Sequence, residues 1–387
     1  MTRDQAQDMA VSNVLGTRDP KGRIRASVVA GTGFGKTRVL CRAAHSEGMG
    51  KILVSVPFDH LKDRFREEHS NLGLPIDDVD MICHVSLLNT DLSIYGTIII
   101  DEAHLALTDR CMEALIPFNG NIVMGTATLP DDRELRDRLL YLCPMAFELS
   151  LDECVRRGYV APYSMVCLGI GLTPAEAKAY KTVSANFGYW KGKLGFDPFN
   201  TAQMALSGGA PHLKQAALGF FRAIRQRKGI VDHAHNKIEV AKRLCAELPG
   251  RKLVFGGDNA FSDMLNSSIS GSVIYHSTMP KSEAQAALDQ FKSGQAEILV
   301  STKALNQGLD IPDASVGVIC GLTSKSLTMV QRVGRLVRID PSDPTKTGKV
   351  IVVYVKDSQE ETWLKDSLQK LDRSNIQWTS DLDSILT

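Results

Sequence analysis

The sequence has no closely spaced cysteines, no long apolar run and no strong excess of charge. Its eight cysteines lie at positions 41, 83, 111, 143, 154, 167, 245 and 320, so none forms a CxxC pair or a zinc-ligand cluster. We therefore expect reduced, mostly buried thiols, and neither a zinc site nor an iron–sulfur cluster. The formal net charge is +1 over 387 residues, which by itself says nothing about nucleic acid.

Membrane and secretory signals are also missing. No stretch approaches the roughly 18 apolar residues that a membrane span needs, and Met1–Gln5 is polar and lacks a signal-peptide pattern. We therefore expect no membrane partner and a cytoplasmic or nucleoid-associated protein, with a phage-encoded origin left open. Hydrophobic residues make up 43% of the chain and charged residues 23%, which is typical of ordinary globular domains.

Short apolar runs alternate with amphipathic stretches in both halves. The strand-like runs are 24–29, 52–56, 97–100 and 121–124, and then 252–255, 273–275, 298–300, 316–320 and 349–354. This alternation predicts an α/β fold in which parallel sheets are covered by helices on both faces. We expect two tandem domains, at 1–150 and 151–355, and a helical tail at 356–387.

Residues 183–212 interrupt this alternation. They are rich in glycine and aromatic residues and have no clear period, so we interpret them as a long insertion or loop. Aromatic and basic side chains interleave in this segment (Phe187, Tyr189, Trp190, Lys191 and Lys193). They would either stack on nucleic-acid bases or pack against their own domain.

The strongest local pattern is AGTGFGKT at residues 30–37, between an apolar run and a helical stretch. Glycines let backbone N–H groups wrap around phosphates, and the following helix directs its positive end at the same anion. Lys36 is expected to reach the β- and γ-phosphates, and the Thr37 hydroxyl to ligate Mg²⁺. Ala30 replaces the usual first glycine. The predicted nucleotide-binding residues are Gly31, Thr32, Gly33, Phe34, Gly35, Lys36 and Thr37.

An acidic box follows the apolar run 97–100 directly. Its residues are Asp101, Glu102, Ala103 and His104. Two carboxylates at the end of a buried strand suit two tasks: Asp101 is expected to hold Mg²⁺, and Glu102 to polarise the water that attacks the γ-phosphate. His104 either couples the nucleotide site to the next motif or caps the site.

Together these two patterns resemble the superfamily 2 helicases and translocases, in which the acidic box takes the DEAH form. Further boxes of that family follow in order: motif Ia at 56–57, the Ser/Gly-x-Ala-Thr box at 125–128, motif V at 298–312 and motif VI, QxxGRxxR, at 331–338. The resemblance spans about residues 5 to 355. It implies two tandem RecA-like P-loop domains, ATP and Mg²⁺ as cofactors, and nucleic acid as a partner.

The resemblance also implies roles for single residues. Arg335 and Arg338 would enter the cleft between the domains and stabilise charge on the γ-phosphate, with Arg338 as the preferred finger. Gln331 would touch the nucleotide or the hydrolytic water, and Gly308 and Asp310 would also lie at the nucleotide. Nucleic-acid binding or coupling would fall to Pro57, His104, Thr126, Thr128 and Thr302. Either Gln5 or Gln7 would read adenine, and we favour Gln7 because Ala10 follows at the family spacing.

Motif VI favours one branch of the family. It carries Val337 where RNA-acting DEAD-box members have glycine, which resembles the DNA-type branch of XPB-like, UvsW-like and restriction-enzyme motors. The expected function is therefore ATP-dependent unwinding or branch remodelling of DNA, as in repair or recombination. Two alternatives stay open. They are an RNA helicase, and a motor subunit that needs a protein partner in a larger nuclease or defence complex.

Overall fold

The first half of the chain forms a six-stranded parallel sheet. A computed structural model describes residues 1–46, 49–209, 211–302, 314–337 and 346–386. The first six strands are β1 (Arg25–Ala30), β2 (Ile52–Val56), β3 (Val79–Cys83), β4 (Thr97–Ile100), β5 (Asn121–Thr126) and β6 (Met145–Leu149). Their order in the sheet is β3-β2-β4-β5-β1-β6, and every pairing is parallel. The carboxyl ends of all six strands therefore share one edge.

Helices cover both faces of this sheet. They are α1 (Arg3–Gly16), α2 (Lys36–Ala44), α3 (Leu61–Leu72), α4 (Asp109–Leu115) and α5 (Arg133–Leu142), and α6 (Leu151–Arg156) leads onward. Successive strand residues point to opposite faces, so Ile99 joins an apolar cluster with Leu40 and Phe65, while Ile98 joins another with Leu115 and Leu139. Both faces of β1, β2 and β4 are buried, which explains their continuous apolar runs.

Most of the described residues between 183 and 212 are helical, so of the two alternatives, an insertion or a loop, the loop is wrong. The chain forms α7 (Pro174–Leu194), α8 (Pro198–Leu206) and α9 (Pro211–Asp232). A capping box between Thr173 and Glu176 starts α7, and glycine lowers helix propensity without preventing a packed helix. The aromatic residues supply the packing: Phe187 stacks on Phe220 with 5.4 Å between ring centroids. Trp190 packs against Gly219, where an added Cβ would lie 2.6 Å from the indole Cδ2 atom.

The second half forms a seven-stranded parallel sheet. Its strands are β7 (Tyr163–Ile170), β8 (Lys252–Phe255), β9 (Ser272–Tyr275), β10 (Ile298–Ser301), β11 (Val316–Ile319), β12 (Gly348–Val355) and β13 (Ile376–Thr379), in the order β13-β7-β12-β11-β8-β10-β9. Its helices are α10 (His235–Glu247), α11 (Asn259–Ser268), α12 (Lys281–Ser293), α13 (Ser326–Leu336), α14 (Gln359–Ser367) and α15 (Asp383–Leu386). Val254 and its neighbour Phe255 enter clusters on opposite faces. The predicted α/β fold with two helix-covered parallel sheets is therefore confirmed.

The tail is helical only in part. α14 matches the expectation for residues 356–387, but β13 then adds a strand to the sheet edge beside β7. The strand forms there because Ile376 pairs with Met165, and Trp378 packs edge-on against Tyr354 with 5.6 Å between ring centroids. The tail is thus part of the second sheet.

Candidate functional site

The phosphate loop leaves the carboxyl end of β1 in a conformation that requires glycine. Gly33 and Gly35 have φ of +88° and +93°, in the left-handed region that disfavours side chains. At Gly31, an added Cβ would lie 2.8 Å from the Leu151 Cα atom, so backbone packing excludes any side chain. Phe34 is fully buried and stacks on Phe147, with 5.5 Å between ring centroids. The buried Phe34 ring thus anchors the phosphate loop to the apolar core of the first sheet.

Lys36 and Thr37 begin α2 immediately after the loop. Both side chains are buried, and no side chain caps the first N–H groups of this helix. A helix start with uncapped N–H groups, preceded by a glycine-rich loop and containing a lysine, is suited to bind an anion. The structure thus gathers the residues predicted to bind phosphate into a single loop–helix unit.

The acidic box follows β4, two strands away from β1 at the same edge of the sheet. Asp101 is almost completely buried, and its Oδ1 atom accepts a hydrogen bond of 2.9 Å from the Glu102 N–H. Burial, and next the Glu102 carboxylate, raise the pKa of Asp101, while Lys36 and Arg64 act in the opposite direction. Glu102 has φ of +47°, which is rare outside glycine and marks local strain. A divalent cation at this edge would stabilise the buried carboxylate.

His84 holds the Asp101 peptide in place. Its Nε2 atom lies 3.1 Å from the Asp101 carbonyl oxygen, and its Nδ1 atom lies 2.7 Å from the Ser55 hydroxyl. Burial lowers the pKa of His84 to about 4, so the ring is neutral at pH 7. Because a carbonyl oxygen only accepts, Nε2–H donates to it and Nδ1 accepts from Ser55. The sequence analysis missed this residue, since a single histidine after a strand carries no motif.

His104 connects the acidic box with the next motif. Its Nδ1 atom lies 3.3 Å from the Thr126 hydroxyl, which donates a hydrogen bond of 3.0 Å to the Thr128 carbonyl oxygen. The same Nδ1 atom lies 3.5 Å from Glu102 Oε2. Burial, and next Lys36, lower the pKa of His104 to about 4. A neutral imidazole with its proton on Nδ1 therefore connects the DEAH box to the Gly125–Thr128 box.

Motif VI approaches the phosphate loop from the second sheet. A Cβ added to Gly334 of α13 would lie 2.5 Å from the Thr32 Cβ atom, so only glycine permits this approach. The next residue, Arg335, is half-buried, and Gln331 lines a cleft of about 520 Å³ together with Glu102 and His104. Three further predicted residues, Gly308, Asp310 and Arg338, lie outside the described residues.

A neighbouring arginine of the same helix has a structural role. Arg332 is buried, donates from Nη1 to the Gly321 carbonyl oxygen at 2.6 Å, and lies over the Phe255 ring at 5.2 Å. Burial lowers its pKa to about 10, so the guanidinium stays protonated at pH 7. Arg332 thus attaches α13 to the second sheet.

The two candidate adenine readers differ clearly in their surroundings. Gln5 belongs to the capping box of α1, where its Oε1 atom accepts from the Thr2 N–H. Gln7 is buried and donates from Nε2 to the Phe34 carbonyl oxygen at 2.7 Å. The buried Gln7 Oε1 atom has no hydrogen-bond partner among the described residues. An acceptor in this state is available to an amino group such as that of adenine.

The remaining predicted positions lie at the ends of strands. Pro57, after β2, lines the cleft between the sheets. Thr302, after β10, donates its hydroxyl to Asn259 Oδ1 at 3.0 Å. In the described parts of the chain, no three His, Cys, Asp or Glu side chains form a metal cluster, and no helix is long and apolar enough to span a membrane. Thr37 and Asp101 instead offer the few oxygen ligands that Mg²⁺ uses beside phosphates.

These features define a class: a two-sheet P-loop protein in which an arginine-bearing helix of one sheet lies on the phosphate loop of the other. Comparison with known proteins agrees. The helicase conserved C-terminal domain family matches residues 236–340. The DNA 3'-5' translocase XPB2 of Sulfurisphaera tokodaii is 21% identical over 81% of this chain and 75% of its own length. The family match and the XPB relatives support a superfamily 2 helicase of the DNA-type branch, and an ATP-dependent helicase enzyme.

Other similarities are partial or concern the fold alone. The DNA 3'-5' helicase XPB of Mycobacterium tuberculosis is 25% identical over 63% of this chain, which spans 38% of that relative's length. The Hef helicase domain of Pyrococcus furiosus has a TM-score of 0.57 at 16% identity and covers 93% of this chain and 97% of its own. The L327V variant of Saccharomyces cerevisiae Dbp5, bound to RNA and ADP BeF3, has a TM-score of 0.60 at 15% identity and covers 98% of this chain and 91% of its own.

Proposed function

We propose that this chain is an ATP-driven motor that moves along DNA and thereby separates strands or remodels branches. One observation carries the proposal: Gly334 places the motif VI helix directly on Thr32 of the phosphate loop. A nucleotide bound there touches both sheets, so its binding and hydrolysis change how closely they approach. The two XPB relatives are named for DNA, which supports DNA over RNA as the substrate.

In this proposal the loop N–H groups of 31–35 and the Lys36 ammonium bind the phosphates. Thr37 and Asp101 would hold Mg²⁺, which would neutralise negative charge on the phosphates. Glu102 accepts a proton from the attacking water, and its strained backbone keeps the carboxylate at the cleft. Arg335 and Arg338 supply positive charge to the γ-phosphate, and Gln331 orients the nucleotide or the water.

Gln7 recognises the base in this proposal. Its Nε2 atom is already committed to the Phe34 carbonyl oxygen, which aims the unpartnered Oε1 atom as a hydrogen-bond acceptor. The exocyclic amino group of adenine donates to such an acceptor, whereas the carbonyl at the same position of guanine does not. Gln7 therefore favours ATP over GTP.

In this proposal nucleic acid binds next to the nucleotide site. Hydrogen bonding from His104 to Thr126 couples the acidic box to the Gly125–Thr128 box, and Pro57 and Thr302 supply contacts at the strand ends. Such contacts to phosphate position the strand without reading its sequence, so binding weakens as salt rises. We assign residues 1–150 to the ATP-binding domain and 151–355 to the second domain, with α7–α9 as its helical insertion.

The ATPase rate of the purified protein tests this proposal. We expect single-stranded, duplex or forked DNA to stimulate hydrolysis, and Lys36→Ala to abolish it. Lys21→Ala, which removes an exposed lysine in a turn outside the cleft, is the matched control and should hydrolyse ATP at the wild-type rate. Stimulation by RNA alone would reject the DNA substrate. ATP binding without stimulation by any nucleic acid would instead favour a motor subunit that requires a protein partner.

A further inference from the structure

We propose that Asp131 is a positioning residue that caps the motif VI helix from across the cleft and so sets the reach of Gln331 and Arg335. The inference rests on the proposed function, because it assumes that those two side chains act on ATP. Asp131 belongs to the domain that we assign to ATP binding, and lies three residues after the Gly125–Thr128 box. It therefore connects that box physically to the helix of the other sheet.

The start of α13 has no cap of its own. The residue in the N-cap position, Lys325, makes no side-chain hydrogen bond to the helix. Asp131 supplies the cap from 195 residues away: its Oδ2 atom accepts 2.9 Å from the Ser326 N–H, and its Oδ1 atom accepts 2.6 Å from the Ser326 hydroxyl. A carboxylate is a preferred cap because it satisfies a helix N–H and complements the positive end of the helix dipole.

The tail holds the same carboxylate from another direction. Lys370, after α14, places its ammonium 2.7 Å from Asp131 Oδ1 and donates a hydrogen bond of 2.6 Å to the Leu129 carbonyl oxygen. These two partners of Lys370 lie one and three residues after the Gly125–Thr128 box. Asp131 therefore contacts both α13 and the tail, and 38% of its side-chain surface is exposed.

The helix transmits this contact to the nucleotide. Gly334 lies eight residues beyond Ser326, which corresponds to about 12 Å along a rigid α-helix. α13 thus touches the ATP-binding domain at two points, Asp131 at its start and Thr32 near its end. Two contacts fix the position of a rigid helix better than one. Loss of the Asp131 cap therefore allows the part of α13 that carries Gln331 and Arg335 to shift.

The test separates kcat from KM. In DNA-stimulated hydrolysis we expect Asp131→Ala to lower kcat about tenfold, while KM for ATP stays within about twofold, because the cap positions groups that act on the γ-phosphate. Asp131→Asn keeps one acceptor oxygen and should recover part of the loss. Lys370→Met should reduce kcat less, and the double variant should be no worse than Asp131→Ala, because both act through one network. Asp137→Asn, an exposed carboxylate on nearby α5, is the matched control.

Hydrogen exchange measures the cap itself, whether or not ATP is hydrolysed. Asp131→Ala should speed amide exchange in the first turn of α13, while the melting temperature stays close to that of the wild type. Faster exchange with an unchanged kcat would overturn the positioning role, and so would unchanged exchange. A wild-type chain without Lys36-dependent ATPase activity would refute the proposed function instead, and the exchange result would still report on the cap.

Discussion

Gly334→Ala should separate catalysis from stability. Gly334 lies inside α13, where alanine has a higher helix propensity by about 1 kcal/mol. Judged by the helix alone, the variant should therefore be as stable as the wild type or more so. The new methyl group, however, points at the phosphate loop, where it would lie 2.5 Å from the Thr32 Cβ atom.

The size of the effect follows from this distance. Ordinary contact between two such carbons begins at 3.4 Å, so α13 must retreat by about 0.9 Å even if the Thr32 hydroxyl rotates away. A misplacement of about 1 Å in a catalytic site can lower the rate roughly a hundredfold. We therefore expect the DNA-stimulated kcat to fall by about two orders of magnitude, while the melting temperature does not fall.

Steady-state ATPase assays and thermal melts on the same preparations check this expectation. Gly188→Ala is the matched control, because Gly188 is also helical and an added Cβ there meets nothing within 4 Å. Thr32→Gly removes the opposing Cβ atom, so it should recover part of the activity when combined with Gly334→Ala. Wild-type kcat in Gly334→Ala would refute the proposal that α13 closes on the phosphate loop during catalysis.

Three further predictions concern the acidic box, its histidine support and the helical insertion. Glu102→Gln should retain ATP binding, measured with a fluorescent analogue, but its kcat should fall about 10³-fold. A fall of less than about tenfold would exclude Glu102 as the general base. Burial lowers the pKa of His84 from 6.5 to about 4, so the unfolded chain takes up this proton more readily than the folded one. The free energy of unfolding should therefore be unaffected above pH 6.5 and fall by about 3 kcal/mol as the pH drops towards 4. Denaturant titrations should show this loss in the wild type but not in His84→Gln. Trp190→Ala should lower the free energy of unfolding by about 3 kcal/mol, because the indole packs on Gly219. The DNA-stimulated kcat should stay unchanged. Weaker DNA binding by this variant would instead indicate that Trp190 stacks on bases.

Local patterns in the sequence were sufficient to predict most of the sheet strands and the phosphate loop. A buried parallel strand must be apolar on both faces, so runs such as 97–100 are visible without tertiary information. The loop at 30–37 is equally local, since Gly33 and Gly35 are required by their positive φ angles. The close approach of Leu151 to Gly31, by contrast, is a tertiary contact. Strands that are only partly buried, such as β3, have mixed composition and escaped prediction.

Other elements depend on packing that lies far away in sequence. The helices at 183–212 contain helix-weakening glycines and are stabilised by contacts such as Phe187 with Phe220, which no local window contains. Likewise β13 forms only because β7 offers an edge more than 200 residues earlier. Propensity is a weak guide wherever tertiary contacts supply the larger free energy.

The sequence by itself identified the residues expected to bind phosphate and the carboxylates that follow the buried strand, because both patterns depend on neighbours within a few residues. Only the tertiary structure distinguished the surroundings of Gln5 and Gln7, since the first is used in a capping box and the second donates to Phe34. It also revealed His84 under Asp101, and Asp131 on Ser326. These are single polar side chains whose partners lie 17 and 195 residues away, and a hydrogen bond at such separation leaves no periodic or local pattern in a sequence.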